Sequence, residues 1–291
     1  MAKNRNTKHY FNVELNVKPV SLPTFDTLIC FDSNYRETNL SPIDNCLDKI
    51  QQLNLIHVNF LNLPNINSQQ IHTLYNLIVL GYISAIESYL REIFRKIIII
   101  DDYSRINCEA IEISFGAAIS YQKHLIPEAI LEKASFASKK NIIDGIKNYL
   151  GLKGNIPAEL ETTLDEFEKA CHLRHCIVHR FGKLGSNNAI KLGLDKHMEI
   201  LEKPLKIDNN IFYNLSVICL NTIFVLNSYL FKSILERTAA KNSNIWSWDF
   251  RKDRKAFLEY YSLFDSVERP SNNKLDVKKT YEELKKFNHN L

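Results

Sequence analysis

A mainly α-helical fold follows from three observations on this 291-residue chain. Apolar residues recur at three- and four-residue spacing over four long stretches. Glycine and proline are scarce, at 8 each, which argues against loop-rich classes. Several of those few residues fall where helices would start and stop. Hydrophobic content of 45% and charged content of 24% fit a folded chain with a substantial core. The expected architecture is a helical bundle of about four long helices with minor β and loop accessories.

The first segment, residues 1–67, mixes short apolar runs with Pro19, Pro23, Pro42 and Pro64. Those prolines predict an irregular extension packing on the core, with a strand at 11–17 and a short helix at 43–53. Residues 71–100 follow helical spacing from Leu74 through Leu90 to Ile97, and the β-branched run Ile97 to Ile100 marks the end. Pro127 suits a first helical turn, and the periodicity continues to Leu150, where Gly151 and Gly154 stop it. Pro157 opens a third helix with Glu159 and Glu161 in its first turn, facing the positive end of the dipole; Gly182 ends it. Residues 181–208 read as a loop with a short strand at 198–200. Residues 209–237 form a fourth long helix. Its stretch 211–231 lacks charge, which raises a membrane span, but Asn214, Asn221 and Ser228 recur every seven residues. Such a polar stripe suits a buried bundle helix or dimer face better than lipid, so no membrane is expected. The helical domain is therefore placed at 68–238, followed by a C-terminal extension at 239–291 with a helix at 281–287.

Charge is unevenly spread. From Arg237 onward the chain has 12 Lys and Arg against 8 Asp and Glu, which accounts for the whole net charge of +4. This tail either steers a polyanion or is simply solvated. The six cysteines are scattered with no CxxC pair, and the N-terminus lacks the apolar core of a signal peptide. A reduced, cytoplasmic protein is expected.

The densest chemistry is Cys171-His172-Leu173-Arg174-His175-Cys176-Ile177-Val178-His179-Arg180, at the end of the third helix, where the dipole favours positive charge. One reading is a basic, solvated helix end. A second is a metal face: His172, His175 and His179 are spaced three and four apart, but Arg174 and Arg180 crowd a cation and no glutamate lies between the histidines. A third is phosphodiester chemistry. RNA carries its own 2′-hydroxyl nucleophile, and cleavage needs a base, an acid for the leaving 5′-oxygen and a cation for the phosphorane, which histidine and arginine supply. Arg174 and His179 lie about 140° apart on an ideal helix, so they converge only in a distorted helix end or across a symmetric dimer.

Arg174-His175-Cys176-Ile177-Val178-His179 resembles the R-x4–6-H motif of HEPN domains, a helical-bundle family of prokaryotic defence and toxin ribonucleases. The polar residue after the arginine, the order of helices across 68–238 and the segment Ala85 to Leu90 carry the same resemblance. It implies a HEPN-like bundle acting as a metal-independent endoribonuclease without cofactor, leaving 2′,3′-cyclic phosphate and 5′-hydroxyl ends. His179 would transfer the proton, Arg174 would hold the scissile phosphate and His175 would assist. Glu87 would orient a base or Arg174, its plainer role being a surface carboxylate paired with Arg91. Arg180 would hold a flanking phosphate or cap the helix. RNA, a second copy completing the site and an antitoxin or regulatory partner are the expected partners. The alternatives are a non-catalytic HEPN-like RNA- or nucleotide-binding scaffold and a metal-dependent enzyme built on the three histidines.

Overall fold

The computed structural model describes residues 23–240, 245–268 and 276–289 and is mainly α-helical. The expected β accessories reduce, among the described residues, to one isolated bridge between Lys183 and Pro204. The chain divides into residues 1–38 and 39–291. In the first unit, one 3-10 turn at Thr27–Cys30 is capped by Asp26, which accepts from the Leu28 N–H at 3.0 Å. The strand expected at 11–17 lies outside the described residues.

The second unit opens with α1 (Pro42–Leu61), not with irregular chain. Pro42 occupies the first turn, where its missing N–H breaks no helical bond, and Ser41 caps Asp44 N–H at 3.2 Å. The helix expected at 43–53 therefore runs eight residues further. A short connection leads to α2 (Ser68–Ile100), which starts on a reciprocal capping box between Asn67 and Gln70. Buried residues from Tyr75 to Ile98 surround much of α2, and it packs against α1, α7, α9 and α10.

Short helices α3 (Asp102–Asn107), α4 (Phe115–Ser120) and α5 (Ile126–Leu131) precede α6 (Lys139–Leu150). The single helix expected from Pro127 to Leu150 is thus broken. Two side chains of α2 hold the break. Arg91 donates to the Leu131 and Ala134 carbonyls, and Glu87 accepts from Phe136 N–H at 2.9 Å. Phe136 itself is buried edge-on against Phe94, with centroids 5.2 Å apart. Tertiary bonds here outweigh helical periodicity. Gly151 closes α6 in the left-handed conformation, φ 65°, that suits a residue without Cβ.

Next come α7 (Ala158–Arg180), α8 (Ser186–His197), α9 (Asn209–Thr238), α10 (Phe250–Phe264) and α11 (Val277–His289). Residues 181–208 hold a helix where a loop and strand were expected, and Met198–Ile200 is a 3-10 turn. On α9 the stripe Asn214, Asn221 and Ser228 is exposed, not buried, while Thr222 and Asn227 face the core. Asn227 is satisfied there, accepting from Tyr89 Oη at 3.0 Å and donating to the Phe264 carbonyl at 2.9 Å. α9 is long and apolar enough to cross a membrane by length and composition, and in this fold its apolar side joins the core.

The basic run from Arg251 to Lys255 lies on α10, an element missed in the sequence because its charges dominate the pattern. Its Phe257, Tyr260, Tyr261 and Phe264 are buried at helical spacing. Asp253 is buried too, and accepts from Ser247 N–H, Trp248 N–H and Tyr281 Oη. One hydrophobic cluster runs from Ile43 of α1 to Leu284 of α11, across both expected domain boundaries.

A buried ion pair ties the ends of these layers. Asp101 is fully buried, pairs with Arg237 of α9 at 2.5 Å and accepts from Tyr260 Oη of α10 at 3.1 Å and Ser104 N–H at 2.8 Å. Removing the cation strands a carboxylate in low dielectric. Arg237→Ala should therefore lower unfolding free energy by about 3 kcal/mol or more in urea titrations, whereas Arg105→Ala, at an exposed pair with Asp102, should change it by under about 1 kcal/mol.

Candidate functional site

Helix α7 carries the site because both its faces are specified. Leu160, Leu164, Phe167, Cys171 and Ile177 are buried against the core. That seam turns Arg174 part-way out and leaves His175, His179 and Arg180 exposed. The helix stays regular through Arg180. Phe181 takes the left-handed conformation at φ 50°, and Gly182 N–H closes back on the Cys176 carbonyl at 3.0 Å.

The chain then makes an excursion pinched at its neck. Leu184 N–H donates to Lys203 O at 3.0 Å, Glu202 N–H to Leu184 O at 2.9 Å and Leu205 N–H to Gly182 O at 2.9 Å. Inside it, α8 is held against α7 by a small cluster of Cys176, Leu184 and Ala189, and by Asn188, which donates to Cys176 Sγ at 3.1 Å. Arg180 fastens the same lobe. Its guanidinium contacts both oxygens of Glu202, at 2.7 and 2.6 Å, and lies across Gly185, where a Cβ would sit 2.5 Å from Nη1. Arg180 is thus engaged by a carboxylate in this fold and helps to hold α8.

Between α7, α8 and the start of α6 lies a cleft of about 400 Å³. Arg174, His172 and His175 line one side, Asn187 and Lys191 of α8 another, and Ser138 and Glu168 its end near α6. Arg174 and Lys191 have no carboxylate partner among the described residues. Two uncompensated cations in a concave, partly desolvated setting favour an anion. Glu168 is occupied: it accepts from Lys139 N–H at the start of α6 and lies 3.4 Å from His172 Nε2.

The three histidines part ways. His172 is buried in the cleft wall, and burial holds its imidazole below the usual range, partly offset by Glu168. His175 is exposed at the cleft's edge, and its ring lies 4.4 Å from that of His179, tilted by 49°. Partial desolvation, reinforced by the charges of His179, Arg174, Lys191 and His172, also keeps His175 below its usual value. It is therefore mostly neutral at pH 7, the state that accepts a proton. Among the described residues no cluster of three or more His, Cys, Asp or Glu side chains has metal-binding geometry.

The expected residues are distributed as follows. Arg174 and His175 share the cleft; His179 sits beside His175, outside the cleft lining. Because α7 is regular, Arg174 and His179 remain about 140° apart around its axis. Glu87 does not pair with Arg91. It braces the backbone behind the site, accepting from Phe136 N–H and, at 3.1 Å, from Ser135 Oγ. Lys191, Asn187 and Glu168 were missed in the sequence. Glu168 could have been found, four residues before His172 on the same helix, whereas the α8 residues carry no local signal.

All six cysteines are free, and burial pushes the thiols of Cys46 and Cys219 up to about 12 and that of Cys171 higher still, which keeps these three protonated at neutral pH.

No family model matches the chain, and no curated protein or solved structure matches it significantly.

The charges around His175 set a checkable titration. Its NMR midpoint should lie below about 6.5 and rise toward that value in Lys191→Ala, because removing a neighbouring cation stabilises the imidazolium.

Proposed function

We propose that the chain is a metal-independent endoribonuclease of HEPN type, acting as a toxin or antiphage effector. One observation carries the reading. Arg174 presents a guanidinium without a carboxylate partner to a cationic cleft, beside two imidazoles in contact with each other. The arginine neutralises the scissile phosphate and the charge that grows on the phosphorane. His175, held neutral by its surroundings, takes the proton from the 2′-hydroxyl as that oxygen attacks phosphorus. His179 gives a proton to the departing 5′-oxygen. The P–O5′ bond breaks as the P–O2′ bond forms, leaving a 2′,3′-cyclic phosphate and a 5′-hydroxyl.

Two imidazoles in one chain supply both proton-transfer groups, so a partner is not needed for that count. A second copy would answer the separation of Arg174 from His179 around α7. Val178, 48% exposed, and Phe181, 83% exposed, flank His179 as apolar contact surface for such a copy.

A binding-only module is the second reading, favoured by the position of His179 outside the cleft lining. Such a protein would retain RNA intact and lose affinity as salt rises.

Purified protein in EDTA should cut single-stranded RNA to cyclic-phosphate ends. Arg174→Ala and His179→Ala should each reduce the rate by about 10² or more at unchanged melting temperature. Intact RNA, or cutting that strictly requires added divalent metal, would sink the ribonuclease. On the acid side, the rate should fall as His175 takes up a proton, with a midpoint below the usual imidazole value, and this limb should vanish in His175→Gln. Mixing the inactive Arg174→Ala and His179→Ala proteins should restore cutting if a site combines Arg174 of one copy with His179 of the other. No recovery would place the site within one chain.

A further inference from the structure

Phosphate binding leaves one wall of the cleft unused. Glu168 lines it with a side chain 29% exposed. Its oxygens already meet Lys139 N–H and His172, but a carboxylate offers about four lone-pair sites and retains acceptor capacity toward the cavity. It also repels a phosphate. An anionic ligand must therefore seat its phosphate at Arg174 and Lys191 and turn N–H donors toward Glu168. Between these ends the lining mixes the His172 and His175 imidazoles with the apolar atoms of Ala137, Cys171 and Ile190, and about 400 Å³ is room for one small ligand, not a duplex.

We infer that this cleft is a base-selecting subsite for one unstacked nucleotide of the RNA, next to the scissile phosphate, and that it favours guanine. The inference rests on the ribonuclease reading for its place in the reaction. Its selectivity follows from edge chemistry. Guanine presents a ring N–H and an exocyclic amine side by side, which one carboxylate accepts together, and its carbonyl would accept from the amide of Asn187, which has no hydrogen bond among the described residues. Adenine and cytosine set a ring acceptor beside their amine, and uracil flanks its N–H with carbonyls, so each turns a lone pair toward the carboxylate. Single-stranded RNA, whose splayed bases expose this edge, is the form that can enter.

Calorimetric titration of the full chain in EDTA with 5′-GMP, 5′-AMP, 5′-CMP and 5′-UMP tests this without cleavage. GMP should bind about tenfold tighter than the others. Lys191→Ala should weaken all four by about fivefold, whereas Asn187→Ala and Glu168→Gln should narrow the preference for GMP. Glu168 also caps α6, so the exposed Asn187 provides the variant without a folding role. Equal affinities, or preference for another base, overturn the guanine assignment; no binding of any nucleotide overturns the subsite. Mapping cut sites on a defined RNA separates the two proposals. Cutting with no base bias beside the break removes the subsite and keeps the nuclease. GMP selectivity in a protein that cuts nothing keeps the subsite and removes the nuclease.

Discussion

The need to cover α2 organises this protein. From Tyr75 to Ile98 that helix carries a buried face wider than half its circumference, with Leu77, Ser84, Ser88 and Glu92 on the stripe left outside, and so broad an apolar face is stable only when several elements enclose it. α1 covers one side as a hairpin partner; α7, α9 and α10 cover others, with α5 and α6 closing over Arg91 and Phe94. Each fully buried leucine, isoleucine or phenylalanine in this interior contributes about 1.5–3 kcal/mol. The orientation of α7 is then not free. Phe167, Cys171 and Ile177 must point inward, so Arg174 is left at the rim and His175 and His179 outside.

Polar groups within the same interior limit how the layers can slide. Asp101 with Arg237 and Tyr260, and Asn227 with Tyr89 and the Phe264 carbonyl, each join helices far apart in the chain. A buried polar group left unpaired costs about 1–3 kcal/mol, so a shift of register is penalised at both points. Asp253 does the same for the C-terminal helices, gathering Ser247, Trp248 and Tyr281. Together these ties fix the registers of α2, α9, α10 and α11 against one another.

The cleft itself is assembled late in the chain's logic. Arg180 and Glu202, the backbone bonds at the excursion's neck and the Cys176–Asn188 contact set α8 beside α7. That placement brings Lys191 and Asn187 opposite Arg174 and creates a concave, cationic setting from residues that are ordinary surface groups on their own helices. It also separates the histidines by environment: His172 becomes wall, and His175 with His179 forms an exposed imidazole pair.

Local chemistry was enough to read the long helices and the placement of the cluster. Pro157 with Glu159 and Glu161, the Gly182 stop and the uncharged stretch 211–231 are local signals, so α7 and α9 and the crowding of Arg174, His175 and His179 at one helix end were legible. The basic run on α10 hid a buried aromatic face, and the apolar spacing after Pro127 hid a break imposed by Glu87 and Arg91 some 40 to 50 residues away. Which of the clustered side chains share a space was decided by tertiary structure alone. A regular helix keeps Arg174 and His179 on different faces, and only the fold-back of α8 gives Arg174 its neighbours. Helix ends are fixed by bonds within one turn, whereas a cleft is fixed by packing between segments whose sequences carry no mark of each other.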